Sequence, residues 1–225
     1  MRLQIPFLSG KTGESQGRAG DEGQVLQDML HGKYYHANEQ GRVFSQSATP
    51  LGLAIPIYTA TSLAGSMPLW NPIGSGVKAV LMSFATTRAS GTADFGAIGL
   101  MARNGVGSVI ATGSQITAFA ETVPVNGNLG LVNSVAGQGK GASSAVKSSN
   151  TGTVTVTAGV AAEWIRTIAG MNLEADTGTA HQTLPAVYDF DGSIVVYPGT
   201  MVWVAATKAS VALFASTLVW EEVTL

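Results

Sequence analysis

From Lys33 onward, apolar and polar side chains alternate with a period of two, and turn residues interrupt the alternation at short intervals. A strand sends successive side chains to opposite faces, so this period commits the chain to β-sheets. Predicted strands 33–38 and 42–46 flank Glu39-Gln40-Gly41, which reads as a hairpin. A strand over 53–61 contains Pro56, which places it at an edge or a bulge. Strand 67–71 leads through Pro72-Ile73-Gly74-Ser75-Gly76 into 77–87, the longest clean alternation. Further strands are predicted over 93–101, 115–123, 129–135, 153–157 and 163–173. Strands 186–190 and 193–197 straddle Asp191-Gly192, a strong hairpin signal. After Pro198-Gly199 come 201–206 and an unusually long strand, 210–223. Roughly a dozen strands separated by turn dipeptides predict an all-β, jelly-roll-like antiparallel sandwich.

Several of these strands are apolar on both faces. In the last one, Val211, Leu213, Ala215 and Val219 share one face, while Ala212, Phe214, Leu218 and Trp220 share the other. A sandwich strand needs only one apolar face. The second face therefore has to meet another layer or another subunit.

The first 32 residues are of a different kind. Residues 1–42 hold ten of the 26 charged side chains and the remaining 183 residues hold sixteen. Between Ser9 and Gly23 stand five glycines and no apolar residue larger than Ala, too little to offset ordering entropy, so an extended arm is expected. A short helix is predicted over 21–32, capped by Asp21, with Val25, Leu26, Met29 and Leu30 on one face and Gly32 at its end. The predicted organisation is thus an arm with one short helix over 1–32 and a sandwich domain over 33–225.

Charged residues make up 12% of the chain, about half the ~25% usual for soluble domains. On a compact monomer of this mass that is roughly one charge per 370 Å², where ordinary composition gives roughly one per 170 Å². So neutral a surface keeps a lone monomer in solution poorly, and two readings follow: cover by other subunits, which is the expectation, or a neutral surface rich in Ser and Thr. A net charge of −2 argues against nucleic acid as a partner. No apolar run approaches the ~20 residues of a membrane span, and residues 1–23 lack the pattern of a signal peptide, so a cytoplasmic site of synthesis is expected.

Signatures of chemistry are weak. There is no cysteine, hence no disulfide framework, thiolate cluster or cysteine nucleophile. Gly10-Lys11-Thr12 and Gly139-Lys140 lack the upstream glycine of a phosphate-binding loop. Asp189-Phe190-Asp191-Gly192 resembles half a calcium loop without the later acidic ligands, and reads better as a tight turn. His31, His36 and His181 form no two-histidine motif. The pairs Glu163 with Glu174 and Asp189 with Asp191 have the residue types of a glycosidase, but fourteen acids yield such pairs by chance. Glu221 and Glu222 read as solubilising charges at the end of the last strand. No catalytic residue, cofactor or metal is predicted, and the chain is expected not to be an enzyme.

Trp70, Trp164, Trp203 and Trp220 fall in or at the ends of predicted strands and are expected in the core. Leu3, Ile5 and Phe7 of the arm, with Tyr34 and Tyr35 at the start of the domain, are the predicted partner contacts.

Three stretches carry a resemblance: GKYYHANEQGRVF at 32–44, PLWNPIGSG at 68–76, and YPGT at 197–200 with the closing WEEV at 220–223. In these the chain resembles a group of small virion proteins of tailed bacteriophages. The resemblance implies a jelly-roll decoration (cement) protein, a homotrimer that sits over junctions of the major capsid protein on the head surface. It carries no site residues across. The alternative within the same fold is a trimeric tail or fibre module that binds host glycans through exposed aromatic rings, around Trp164 or in the loop 136–150.

Overall fold

The computed structural model describes residues 34–58, 65–91, 96–104, 116–119, 121–128, 144–150, 155–156, 162–170 and 185–225, with backbone alone at 116–118 and 155–156. The arm, the helix predicted over 21–32, the strand predicted over 129–135 and the lysine loops at 10–12 and 139–140 lie outside them. The described residues are almost entirely β, and two antiparallel sheets pack face to face. No helix among them is long and apolar enough to cross a membrane.

The chain runs α1 (Tyr35–Glu39), β1 (Val43–Ser47), β2 (Leu53–Ala54), β3 (Ser66–Asn71), β4 (Val77–Ser90), β5 (Ala97–Arg103), β6 (Ile116–Ala118), β7 (Val125–Asn126), β8 (Lys147–Ser148), β9 (Thr155–Val156), β10 (Glu163–Gly170), β11 (Ala186–Asp189), β12 (Val195–Val196), β13 (Thr200–Ala206) and β14 (Leu213–Thr224). The first sheet has the order β11-β4-β14-β1-β7, with β12 beside β4 and β2 beside β14. The second has the order β10-β5-β13-β3-β8, and β6 pairs separately with β9. β1 and β2 follow one another along β14, as β11 and β12 follow one another along β4, so each pair acts as one interrupted strand. Setting aside the two-residue β7 and β8, eight strand positions result. Early strands lie beside late ones: β1 beside β14, β3 beside β13, and β5 beside β10, with β4 beside β11. This nesting of a long folded-over ribbon is the order of a jelly roll.

Between the sheets lies a core that includes Phe44, Leu81, Phe84, Leu100, Val202, Phe214, Leu218 and Trp220. Phe44 stacks on Trp220, centroids 6.2 Å apart. Several polar groups beside this core find partners, as burial favours. Thr86 and Ser216 share a hydroxyl hydrogen bond of 2.8 Å, and Asn71 donates to the carbonyls of Val77 and Val196, both at 2.9 Å.

Two turns differ from expectation. Of the strand predicted over 33–38, the described residues 34–38 form none; Tyr35–Glu39 is a helical turn. Gly41, at φ 71°, ends it, with its N–H bonded to the Asn38 carbonyl and that of Arg42 to the Ala37 carbonyl. That pair of bonds is a Schellman closure, so the glycine read as a hairpin turn is a helix stop. No β-branched residue opposes a helix here, and Ala37 is buried with Val43 and Met82, with Tyr34 packed against them.

Asp191-Gly192 does not join a hairpin either. Both residues have positive φ, 52° and 72°, and the Ser193 N–H bonds to the Phe190 carbonyl at 2.8 Å, as in a primed turn. The flanking strands, however, pair with β4 rather than with each other. The turn is an excursion that loops out of one edge strand and returns to it.

Candidate docking surface

The two-sided strands of the two sheets are accommodated differently. On the outside of the second sheet, Trp70, Met101, Met201, Trp203 and Ala205 form another buried apolar cluster, against which Tyr58, Phe119 and Trp164 pack. Its packing uses missing side chains: a Cβ at Gly65 would lie 1.8 Å from Trp203 Cδ1, and one at Gly99 would lie 2.0 Å from Trp164 Cζ2. Bulging of β3 opposite Trp203, where Met67 takes φ 52° before Pro68, makes further room. This sheet therefore finds its second layer within the chain. Three tryptophans are buried as expected; Trp164 is half-buried, in edge contact with Tyr58 and with its indole N–H directed to Thr167 Oγ1 at 3.3 Å.

Among the described residues, the outside of the first sheet is covered only in part. Ser83 pairs with Val219 and Leu81 with Trp220, which leaves Met82 as an extra residue bulged toward the outside. α1 lies over it, with Tyr34 and Ala37 against Met82, Val43 and Val219. Beyond α1, register places Val187, Ala85, Thr217 and Ser47 in one row across four strands. Val187 is 69% exposed. Small, neutral side chains dominate this area; among the described residues, the ionised groups on this face include Asp189, Lys78 and the Arg42–Glu221 ion pair at 2.6 Å.

The sandwich has two flanks. One is closed: β7 extends the first sheet beside β1 and β8 extends the second beside β3. Gln46 links them, its side-chain oxygen accepting from Ser148 at 2.7 Å and Thr122 at 3.2 Å. On the other flank β10 and β11 are edge strands among the described residues. β10 is twice bulged against β5, a device that discourages pairing. β11 runs four residues before the excursion at 190–194, and the Arg166 guanidinium donates to Ser193 Oγ at 2.7 Å across the flank.

The predicted contacts divide accordingly. Leu3, Ile5 and Phe7 lie outside the described residues. Tyr34 is half-buried on α1's contact with the sheet, and its hydroxyl donates to Asp191 Oδ1 at 3.3 Å. Its neighbour Tyr35 is 37% exposed. The structure thus brings Tyr34 to the end of the β11 edge, which sequence reasoning did not foresee.

Of the residues weighed for chemistry, Asp189 accepts from the Asp191 N–H at 3.0 Å and builds the turn. His36 accepts from the Gln40 amide at 2.8 Å in one tautomer. His31, His181 and Glu174 are outside the described residues. Among those described, no three His, Cys, Asp or Glu side chains converge to hold a metal ion.

Glu222 overturns its sequence reading. It is buried, not a solubilising charge, and its carboxylate accepts from the Ser144 hydroxyl, the Ala145 N–H at 3.0 Å, the Val146 N–H at 3.4 Å and the Trp220 indole at 3.3 Å. Strand parity carries the signal, since Glu222 continues the inward series Phe214, Ser216, Leu218, Trp220. Arg103, at the end of β5, is also buried, and desolvation pulls its pKa below the ordinary arginine value.

No family model, no curated protein and no solved structure matches the chain.

Proposed function

We propose that this chain is a non-enzymatic structural protein of a bacteriophage virion, a head decoration protein that binds neighbouring copies of the major capsid protein and reinforces the shell from outside. The observation that carries this reading is a jelly-roll sandwich whose first sheet, among the described residues, leaves part of a charge-poor, small-residue outer face uncovered in a chain with 12% charged residues. Such a face suits permanent contact with protein better than contact with water. The resemblance of residues 32–44, 68–76, 197–200 and 220–223 to small tailed-phage virion proteins points the same way. Copies would assemble with one another, as trimers, and each would hold the shell at several points, so weak contacts would act together through effective concentration.

The test is to mix purified protein with capsids that lack it and to image the particles. Regular density over capsid-subunit junctions is expected, and its loss on deletion of residues 1–23 from a chain that still folds. Density at the tail, or glycan binding without capsid binding, would favour the fibre reading and end this one.

A further inference from the structure

We propose that residues 3–7 of one copy add as a strand to the free side of β11 in a neighbouring copy. Among the described residues β11 pairs with β4 alone, so the backbone groups on its other side have no strand partner there. An unpaired edge is a template for an extended segment. It is short, because Ala186–Asp189 is followed at once by the 190–194 excursion, and a five-residue segment matches that length.

The path of the chain identifies the occupant. Residues 1–33 precede Tyr34, and Tyr34 is hydrogen-bonded to Asp191, two residues beyond β11. The N-terminal segment therefore joins the domain at the flank that carries the open edge. Residues 8–33 would span up to roughly 85 Å if extended, ample to reach an adjacent copy.

The pattern of the segment fits a strand. Leu3, Ile5 and Phe7 alternate with Arg2, Gln4 and Pro6, so the apolar set shares one face. On β11 the inward side chains Ala186 and Tyr188 are only half-buried, Tyr188 lying 5.1 Å from Phe190 between ring centroids, and the apolar face would complete their cover. Pro6 lacks an N–H, which an outermost strand tolerates. Because the donor leaves from the flank that accepts, each copy can give its segment to the next, a head-to-tail exchange that forms a ring where the rotation between copies closes.

This inference rests on the assembly reading above, and its test separates the two. The chain has no cysteine, so Gln4→Cys and Val187→Cys introduce the sole thiols. The two single variants are mixed and treated with a short bismaleimide. Expected is a covalent pair of one chain of each kind, roughly ten-fold above the yield when Leu51→Cys replaces Val187→Cys, as proximity requires. Excess peptide of residues 1–9 should suppress it. Equal yields at both acceptors, or a cross-link formed only within a chain carrying both thiols, would overturn the exchange. Wild-type protein that sediments as an assembly without the cross-link would overturn this inference and leave the assembly reading standing, whereas a monomer at high concentration removes the assembly itself.

Discussion

Trp203 packs so closely on Gly65 that a methyl group there would come within 1.8 Å of the indole. The tryptophan is 2% exposed and cannot swing aside. Gly65→Ala should therefore destabilise the fold by about 2–3 kcal/mol, as overpacking does. Gly99→Ala meets Trp164 at a similar distance, but that ring is half-buried at a sheet edge and can rotate outward. It should cost about 1 kcal/mol and shift indole emission to the red. Urea unfolding followed by fluorescence distinguishes the two.

Glu222→Ala removes the acceptor shared by the Ala145 and Val146 amides and the Trp220 indole. Donors left buried and unpaired should make this loss about 2–4 kcal/mol. Glu221→Ala breaks a partly exposed pair with Arg42 and should cost under about 1 kcal/mol. Faster hydrogen exchange across 144–148 in the first variant, absent in the second, would place the effect at the clamped loop.

The buried Thr86–Ser216 hydroxyl pair offers a double-mutant cycle. Thr86→Val alone strands one hydroxyl and should cost about 1–2 kcal/mol, and Ser216→Ala alone a similar amount. Together they should cost clearly less than the sum, because no polar group is left without a partner. Strict additivity in thermal unfolding would contradict the pairing.

Gly41→Ala forces a side chain into φ 71° at the end of α1 and should cost about 1 kcal/mol. Exchange of the Gly41 and Arg42 amides, which close the helix, should accelerate while amides of β14 stay protected. Gly74→Ala, at φ 88° with nothing within 4 Å of the new Cβ, tests the same backbone cost without packing.

Alternation located the long strands β4, β10 and β14, because a residue buried on one side of a sheet declares itself by parity. β3 and β13, buried on both faces, were marked instead by the turn residues that bound them. Parity also contained the burial of Glu222, which chemical type obscured. Local patterns failed where tertiary partners decide. Asp191-Gly192 adopts the backbone of a hairpin turn, yet β4 pairs with both flanks, and no local signal distinguishes a hairpin from an excursion in an edge strand. Tyr34 through Gln40 was too short a stretch to separate a period of two from one helical turn; contact with Met82 settles it. The open flank at β11 was invisible for a related reason: an edge is the absence of a neighbour, a property of the whole sheet.

The nesting of early strands beside late ones governs when this fold can form. β14, residues 213–224, lies between β4 and β1, so the first sheet has no middle until nearly the whole described chain has left the ribosome. Contacts this distant in sequence close slowly. During synthesis β1 and β4 wait with apolar faces bare, a state prone to aggregate. Yield in the cell should then depend on chaperone capacity and on slowed growth, well before any question of attachment to a partner arises.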